Sequence, residues 1–184
     1  MDALETARLR LLPLVIHDAA AMQNVFPQWE IVRWLTATVP WPYPDDGAAT
    51  FLRNLVIPSH DAKTAWHWSI RPKERANLLI GSISLLEGPE QNRGFWLDPA
   101  WQGQGLMTEA SNAVTDYWFG TLGKSVLRVP KAAANPASRR ISEKQGMRVV
   151  SRFVSRLVSG EQEMELWEIS RDEWLRHQHS RSTA

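Results

Sequence analysis

Between Arg93 and Trp118 the chain, RGFWLDPAWQGQGLMTEASNAVTDYW, passes from strand to helix through a turn that holds two glycines. RGFWLD (93–98) reads as a strand. From Leu106, apolar residues recur at Ala110, Val114, Tyr117 and Trp118, the spacing of one helix face. Gly103 and Gly105, flanked by Gln102 and Gln104, lie between the two elements. Glycine here either turns the chain through positive φ or lets another group approach the backbone without meeting a Cβ. A strand, a glycine-rich turn and a helix start also form an anion site, because unpaired N–H groups converge and the helix dipole favours negative charge. A P-loop is excluded, since no Lys-Ser or Lys-Thr follows the glycines. A dinucleotide fingerprint fails too: its third small position holds Thr108, and the next strand ends in Pro130-Lys131. On the loop alone, phosphate binding and a tight packing turn both remain open.

The rest of the chain supplies one α/β domain over residues 1–184. RLRLLPL (8–14) alternates and predicts a first strand. Asp18 predicts the start of a helix reaching about Gln28, and Asp45 or Asp46 the start of a second running to Ile57. Between them TATVPWPYPDD sets three prolines within five residues, which excludes regular structure, and carries Trp41 and Tyr43. AWHWSIR (65–71), LIGSISLL (79–86) and RGFWLD predict a three-strand meander. SVLRVP (125–130) is a further strand whose proline cannot donate to a ladder, so its end marks an edge, a bulge or an opening of the sheet. In NPASRRISEKQG (135–146), Asn135 suits an N-cap, Pro136 the first helical position and Gly146 the residue past the end. RVVSRFVSRLV and EMELWEI, joined at Ser159-Gly160, bring the count to about seven strands in a mixed, mostly antiparallel sheet with flanking helices. The polar tail from 177 to 184, HQHSRSTA, reads as disordered.

Composition narrows the function. The net charge of +1 gives no reason to expect nucleic acid or an anionic membrane as partner. No apolar run approaches a membrane span, and MDALETARLRLLPL lacks the order of a signal peptide, so a cytoplasmic protein is expected. With no cysteine, no disulfide, zinc-thiolate site or cysteinyl intermediate is available. His17, His60, His177 and His179 lack carboxylate partners at ligand spacing, so no metal is expected. Ten tryptophans leave core, groove and a homodimer contact all open.

Gln102-Gly103-Gln104-Gly105-Leu106-Met107 resembles the [QR]-x-x-G-x-[GA] acetyl-CoA loop of the GNAT N-acetyltransferases, with Met107 in the usual Gly/Ala place. ETARLRLLPL, LLIGSISL, GFWLDPAWQGQGLMTEA and NPASRRISEKQGM are similar, in that order, to the RimJ/RimL branch, which acetylates ribosomal-protein N-termini. The resemblance implies a GNAT fold in which strands 93–98 and 125–130 splay and the pantetheine arm of acetyl-CoA inserts between them. It implies that backbone groups of Phe95, Trp96 and Leu97 pair with pantetheine amides, that N–H groups from Gly103 to Thr108 hold the pyrophosphate, and that Asn135 contacts the arm. Many relatives carry a tyrosine for the leaving thiolate where this chain has Ser142. Ser138 stands where RimL-like members carry a serine, its other reading being a helix-start residue.

A direct transfer also needs a neutral amine and a donor for the carbonyl oxygen, for which an N–H near Trp96 or Leu97 is expected. The usual glutamate base is replaced by Asn92 or a neighbour, leaving Glu87 and His67 as candidates, each with a structural alternative. Neutralising an α-amine at pH 7.4 costs about 0.5–1 kcal/mol, against about 4 kcal/mol for a lysine side chain. A site without a strong base therefore suits an α-amine, such as a protein or peptide N-terminus, with Trp41 and Tyr43 lining the acceptor slot. The alternatives are acetylation of a small amine (amino acid, polyamine or aminoglycoside) and a non-catalytic acyl-CoA-binding module.

Overall fold

A computed structural model describes residues 1–182. In chain order it contains β1 (Leu4–Glu5), β2 (Leu9–Pro13), α1 (Ala19–Val25), α2 (Trp29–Val32), α3 (Gly47–Phe51), α4 (Ile57–Ala62), β3 (Ala65–Pro72), β4 (Gly81–Leu86), β5 (Arg93–Leu97), α5 (Leu106–Asp116), β6 (Val126–Ala132), α6 (Pro136–Lys144), β7 (Arg148–Leu157), β8 (Gly160–Ser170) and α7 (Arg171–Ser182). The strands form a five-stranded sheet, β1-β2-β3-β4-β5, and a three-stranded sheet, β6-β8-β7, with every ladder antiparallel. This is the expected α/β architecture, with eight strands rather than seven. The extra one, β1, is two residues long, too short for any periodicity to betray it.

The main core lies between the sheets and α5. Leu9 and Leu11 of β2, Ile83 and Leu85 of β4, and Leu127 and Val129 of β6 point into it at period two. Helix α5 answers with Leu106, Met107, Ala110 and Val114, and the π turn that follows, Tyr117–Thr121, adds Tyr117, Trp118 and Phe119. Each such side chain contributes about 1.5–3 kcal/mol on burial.

Several local expectations need correction. Asp18 stands at the N-cap position of α1 as expected, but the helix stops at Val25 rather than near Gln28, and the Asp18 carboxylate caps no helix N–H: it ends the preceding 3-10 turn, accepts from the Val15 N–H at 3.1 Å and pairs with Arg71 at 2.5 Å. The second helix begins at Gly47 and runs on to Ala62, with a π turn at Leu52–Val56. Pro58 supplies the reason, since it has no N–H to return to the preceding turn. Residues 177–182 are helical rather than disordered. The buried Trp174 donates to Asp116 at 2.9 Å, and His177 Nε2 meets the Lys144 carbonyl at 2.9 Å, which docks α7. Residues 183–184 of the expected tail lie outside the described residues.

Strands β5 and β6 are neighbours without a ladder, and they touch at one end only. The Asn92 N–H donates to the Arg128 carbonyl (2.8 Å), and the Arg128 N–H donates to Asn92 Oδ1 (2.8 Å). Asn92 Nδ2 donates to the carbonyls of Gly88 (2.6 Å) and Leu86 (3.3 Å). The bond from Arg171 N–H to the Ser125 carbonyl sets the phase of β6: odd residues bond β8, and even residues face β5. The next residue of β6 to face β5 after Arg128 is Pro130, which has no N–H to give, and from there the strands diverge.

Asn92→Ala should lower the unfolding free energy by about 1–2 kcal/mol in urea melts, because it leaves the part-buried Arg128 N–H without its acceptor. Asn92→Asp should do no better, since a carboxylate cannot donate to the two carbonyls.

Candidate active site

The divergence of β5 and β6 opens a cavity of about 630 Å³. Bonds from Leu86 N–H to the Asn92 carbonyl and from Asp98 N–H to the Ile80 carbonyl fix the phase of β5. Even residues bond β4, so the backbone groups of Arg93, Phe95 and Leu97 face the gap. Phe95 presents both N–H and C=O, and Leu97 its N–H, the Leu97 carbonyl being taken by Gln102 Nε2 at 2.9 Å. This corrects one expected member of the set. The main chain of Trp96 belongs to the ladder with Ser82, and its indole crosses to the other face to pack on Phe26 with centroids 5.3 Å apart.

The glycine loop closes one end of the cavity. Gly103 and Gly105 adopt φ of +76° and +78°, so both explanations of glycine apply at once. A Cβ on Gly103 would meet nothing within 4 Å, and one on Gly105 only Arg8 Nη2 at 3.6 Å. Among the described residues, no acceptor takes any of the N–H groups from Gly103 through Thr108. Those donors, at the N-terminus of the eleven-residue α5, form a cradle that fits a pyrophosphate. Gln102, Leu106, Met107 and Thr108 line the cavity with the glycines. Gln104 does not; its carbonyl accepts from Arg8 Nη1 at 3.0 Å and secures the loop from outside.

Helix α6 forms the facing wall. Asn135 Oδ1 caps it, accepting from the Ser138 N–H at 3.1 Å, and Asn135 and Ser138 both line the cavity. Ser142 is fully buried, its hydroxyl unpartnered, and lies outside the lining. Arg140 and Lys144, four residues apart, put cations on the same wall.

The other candidates lie elsewhere. Glu87 pairs with Lys124 at 2.5 Å, outside the cavity. His67 is buried on β3, with Nδ1 2.7 Å from Ser84 Oγ and Nε2 unpartnered. Burial, with the nearby His60 adding to it, pushes the His67 pKa down to about 4, too acidic for a base at neutral pH. Trp41 leans on Trp29 at the surface (5.7 Å), and Tyr43 packs edge-on against Phe26 (4.8 Å), its hydroxyl pushed up to about 12 by burial and by Asp46. Neither lines the cavity.

That wall comes instead from the segment before the prolines. Glu30, Ile31, Trp34, Leu35 and Thr36 line it, held by bonds from Val158 N–H to the Leu35 carbonyl (2.9 Å) and from Ala37 N–H to the Arg156 carbonyl (3.2 Å). Two buried cations, Arg93 and Lys131, also line the cavity. The alternation could have found both: Arg93 shares a face with Phe95 and Leu97, and Lys131 extends the inward series of Leu127 and Val129.

A main-chain slot between parted strands, leading from a glycine cradle on one face to a carboxylate on the other, is an arrangement for joining two substrates through the sheet. Residues 8–148 match the acetyltransferase (GNAT) domain family. The chain belongs to the GNAT acetyltransferases. Among solved structures, the ribosomal-protein-S5-alanine acetyltransferase of Vibrio fischeri is similar at 18% identity, over 95% of this chain and 99% of that one, with a TM-score of 0.78. RimJ of Mycobacterium smegmatis, in complex with CoA-disulfide, is 16% identical over 94% of this chain and 88% of its own, with a TM-score of 0.80. The ribosomal L7/L12 alpha-N-protein acetyltransferase RimL, in complex with coenzyme A, is 16% identical over 94% of this chain and 99% of its own, with a TM-score of 0.79. No curated protein matches the chain. A GNAT fold implies acetyl-CoA, and the cradle, the slot and the α6 cations fit its pyrophosphate, its amides and its further phosphate. Among the described residues, no group of three or more His, Asp or Glu is placed to hold a metal, and no helix is long and apolar enough to cross a membrane.

Two outcomes are expected. Gly103→Val should weaken acetyl-CoA binding at least tenfold by calorimetry while costing the fold about 1–2 kcal/mol, the penalty of a side chain at positive φ. His67, neutral in the fold until pH nears 4, takes a proton near 6.5 when unfolded, so the unfolded state binds more protons between those values. Stability present above pH 6.5 should therefore drain as pH falls towards 4, by at most about 3 kcal/mol, and His67→Gln should flatten that slope in urea melts at stepped pH.

Proposed function

We propose that the protein transfers an acetyl group from acetyl-CoA directly to an α-amine, the N-terminus of a protein or peptide in the manner of RimJ and RimL. The observation that carries this is the through-sheet cavity with Glu30 at its second mouth. An exposed carboxylate there attracts an ammonium group, and the channel behind it is lined by Trp34, Leu35 and Leu157, which suits the first residues of a peptide. The similarity to the S5-alanine, RimJ and RimL proteins supports the same acceptor class.

In this reading the N–H groups of Gly103 to Thr108 hold the pyrophosphate, and Phe95 pairs with the pantetheine arm. The Leu97 N–H polarises the thioester carbonyl. The Ser138 hydroxyl, which has no bonding partner among the described residues, hydrogen-bonds the departing thiolate without giving up its own proton. The amine forms the C–N bond as the C–S bond breaks, the amine losing one proton and the thiolate gaining one.

The test is acetyl-CoA turnover with a panel of peptides. A free α-amine should be acetylated, and an Nα-blocked peptide that offers only a lysine side chain should not. Glu30→Gln should raise the peptide KM about fivefold, in line with an exposed charge pair of about 1 kcal/mol, and leave the acetyl-CoA Kd unchanged. Equal rates on the blocked peptide, or an unmoved KM, would sink the acceptor assignment.

A further inference from the structure

Lys131 of β6 is a buried lysine without an ion-pair partner among the described residues. It is 5% exposed, lines the cavity where the strands have just parted, and holds its Nζ 4.3 Å from the centre of the Phe95 ring. Among the described residues no carboxylate or carbonyl partners it. Glu165 stands opposite it in the ladder between β6 and β8, but its carboxylate is occupied by Arg139 of α6 (2.9 Å) and Arg152 of β7 (3.4 Å). From β5 it faces a second cation, Arg93, 4% exposed. That guanidinium spends Nη1 on Thr115 of α5 at 2.8 Å and leaves Nε and Nη2 unpartnered. Helix α5 offers no charge here, only Ser111 and Thr115. The other acid lining the cavity, Glu30, stands at its mouth on α2.

Two adjacent cations without a counter-ion are not a packing motif. Burying a lone ammonium is costly, and the ordinary escape is to shed its proton. Burial, and then the Arg93 charge, push the Lys131 pKa well below its usual value, whereas burial takes Arg93 only to about 9, so Arg93 stays charged at neutral pH. The balance is thereby tilted toward the neutral amine, inside a channel from which Glu87 and His67 are both absent and which no tyrosine lines.

We infer that Lys131 is the proton-transfer residue of the site, and that Arg93 is a positioning residue that keeps it unprotonated. Its Nζ lone pair takes the proton of the incoming ammonium, leaving the acceptor nitrogen free to attack. The Lys131 ammonium so formed returns that proton to the thiolate when the C–S bond breaks, and the second N–H proton, shed as the acceptor nitrogen becomes an amide, leaves to water. Atoms and charge balance over the cycle, and one residue fills the place of both the missing glutamate and the missing tyrosine. This rests on the acetyltransferase reading above.

The experiment pairs kinetics with a measurement that needs no turnover. NMR of the lysine side-chain amine in isotopically labelled protein, assigned with Lys131→Arg, should show Lys131 titrating well below the other lysines. Arg93→Met should move that titration upward, and the acid limb of the kcat/KM profile should move with it. Lys131→Met and Lys131→Gln should each lower kcat at least a hundredfold, the lower range for a general acid-base group. Lys131→Arg should not rescue, because a guanidinium does not give up its proton. An ordinary lysine titration, a kcat within threefold of wild type in a folded Lys131 variant, or acetyl found on Lys131 by mass spectrometry would overturn the inference and leave the function standing. Absence of turnover with every amine by the wild-type protein would overturn both.

Discussion

Everything in this molecule turns on where β6 stops being able to bond β5. Arg128 pairs with Asn92 through both of its backbone groups, and two residues later Pro130 has nothing to donate. A residue with an N–H at 130 would have a donor to offer β5 at that place. With proline there, the backbone N–H and C=O of Phe95 and the N–H of Leu97 are left without protein partners among the described residues. Unpaired main-chain groups inside a domain are expensive, so the slot is stable only because it is open to water or to a ligand with amides of its own. The binding site is the place where the sheet is prevented from finishing.

The opposite wall depends on a second constraint, the fixed start of α5. Glu109 accepts from Thr6 Oγ1 (2.5 Å), the Arg8 N–H (2.7 Å) and Arg8 Nε (2.7 Å), while Arg8 reaches on to the Gln104 carbonyl. Burial alone would raise the Glu109 carboxyl, but those bonds and the Arg8 charge overcome it and hold it below the usual range. The N-terminal strand is thereby stitched to the glycine loop, and the cradle of N–H groups keeps its shape before any phosphate arrives. Preorganisation of this kind lets main chain hold an anion without paying to order a loop.

Much of this was legible in one dimension. The two glycines before a helical repeat marked the cradle, Asn135-Pro136 and Gly146 bounded α6, and Pro130 marked an opening. What escaped shares a physical cause: it depends on which groups are brought together across the fold. Asn92 reads as a lost glutamate until its amide is seen donating to two carbonyls and accepting from the Arg128 N–H, a combination no carboxylate can make. Trp41 and Tyr43 look like a substrate slot because aromatic residues in a proline-rich loop often are one. Here Phe26 and Trp29 absorb them, and the residues just upstream, pinned by the end of β7, take the wall instead. His67 and Glu87 were plausible by type and excluded by place.

The charges are arranged along the cavity in a sequence that neither a core nor a solvent-exposed face requires. Arg140 and Lys144 stand at the cradle end, on the α6 side of the sheet; Glu30 stands at the other end, on α2, the side to which Trp96 turns. An anionic donor meets cations at its entrance and a cationic acceptor meets an anion at its own. Entry by the wrong mouth would set like charges together. One stretch of β5 provides the unpaired backbone groups of the slot between. Polarity thus offers a sorting that shape alone does not: it gives the two ends of the cavity opposite charge.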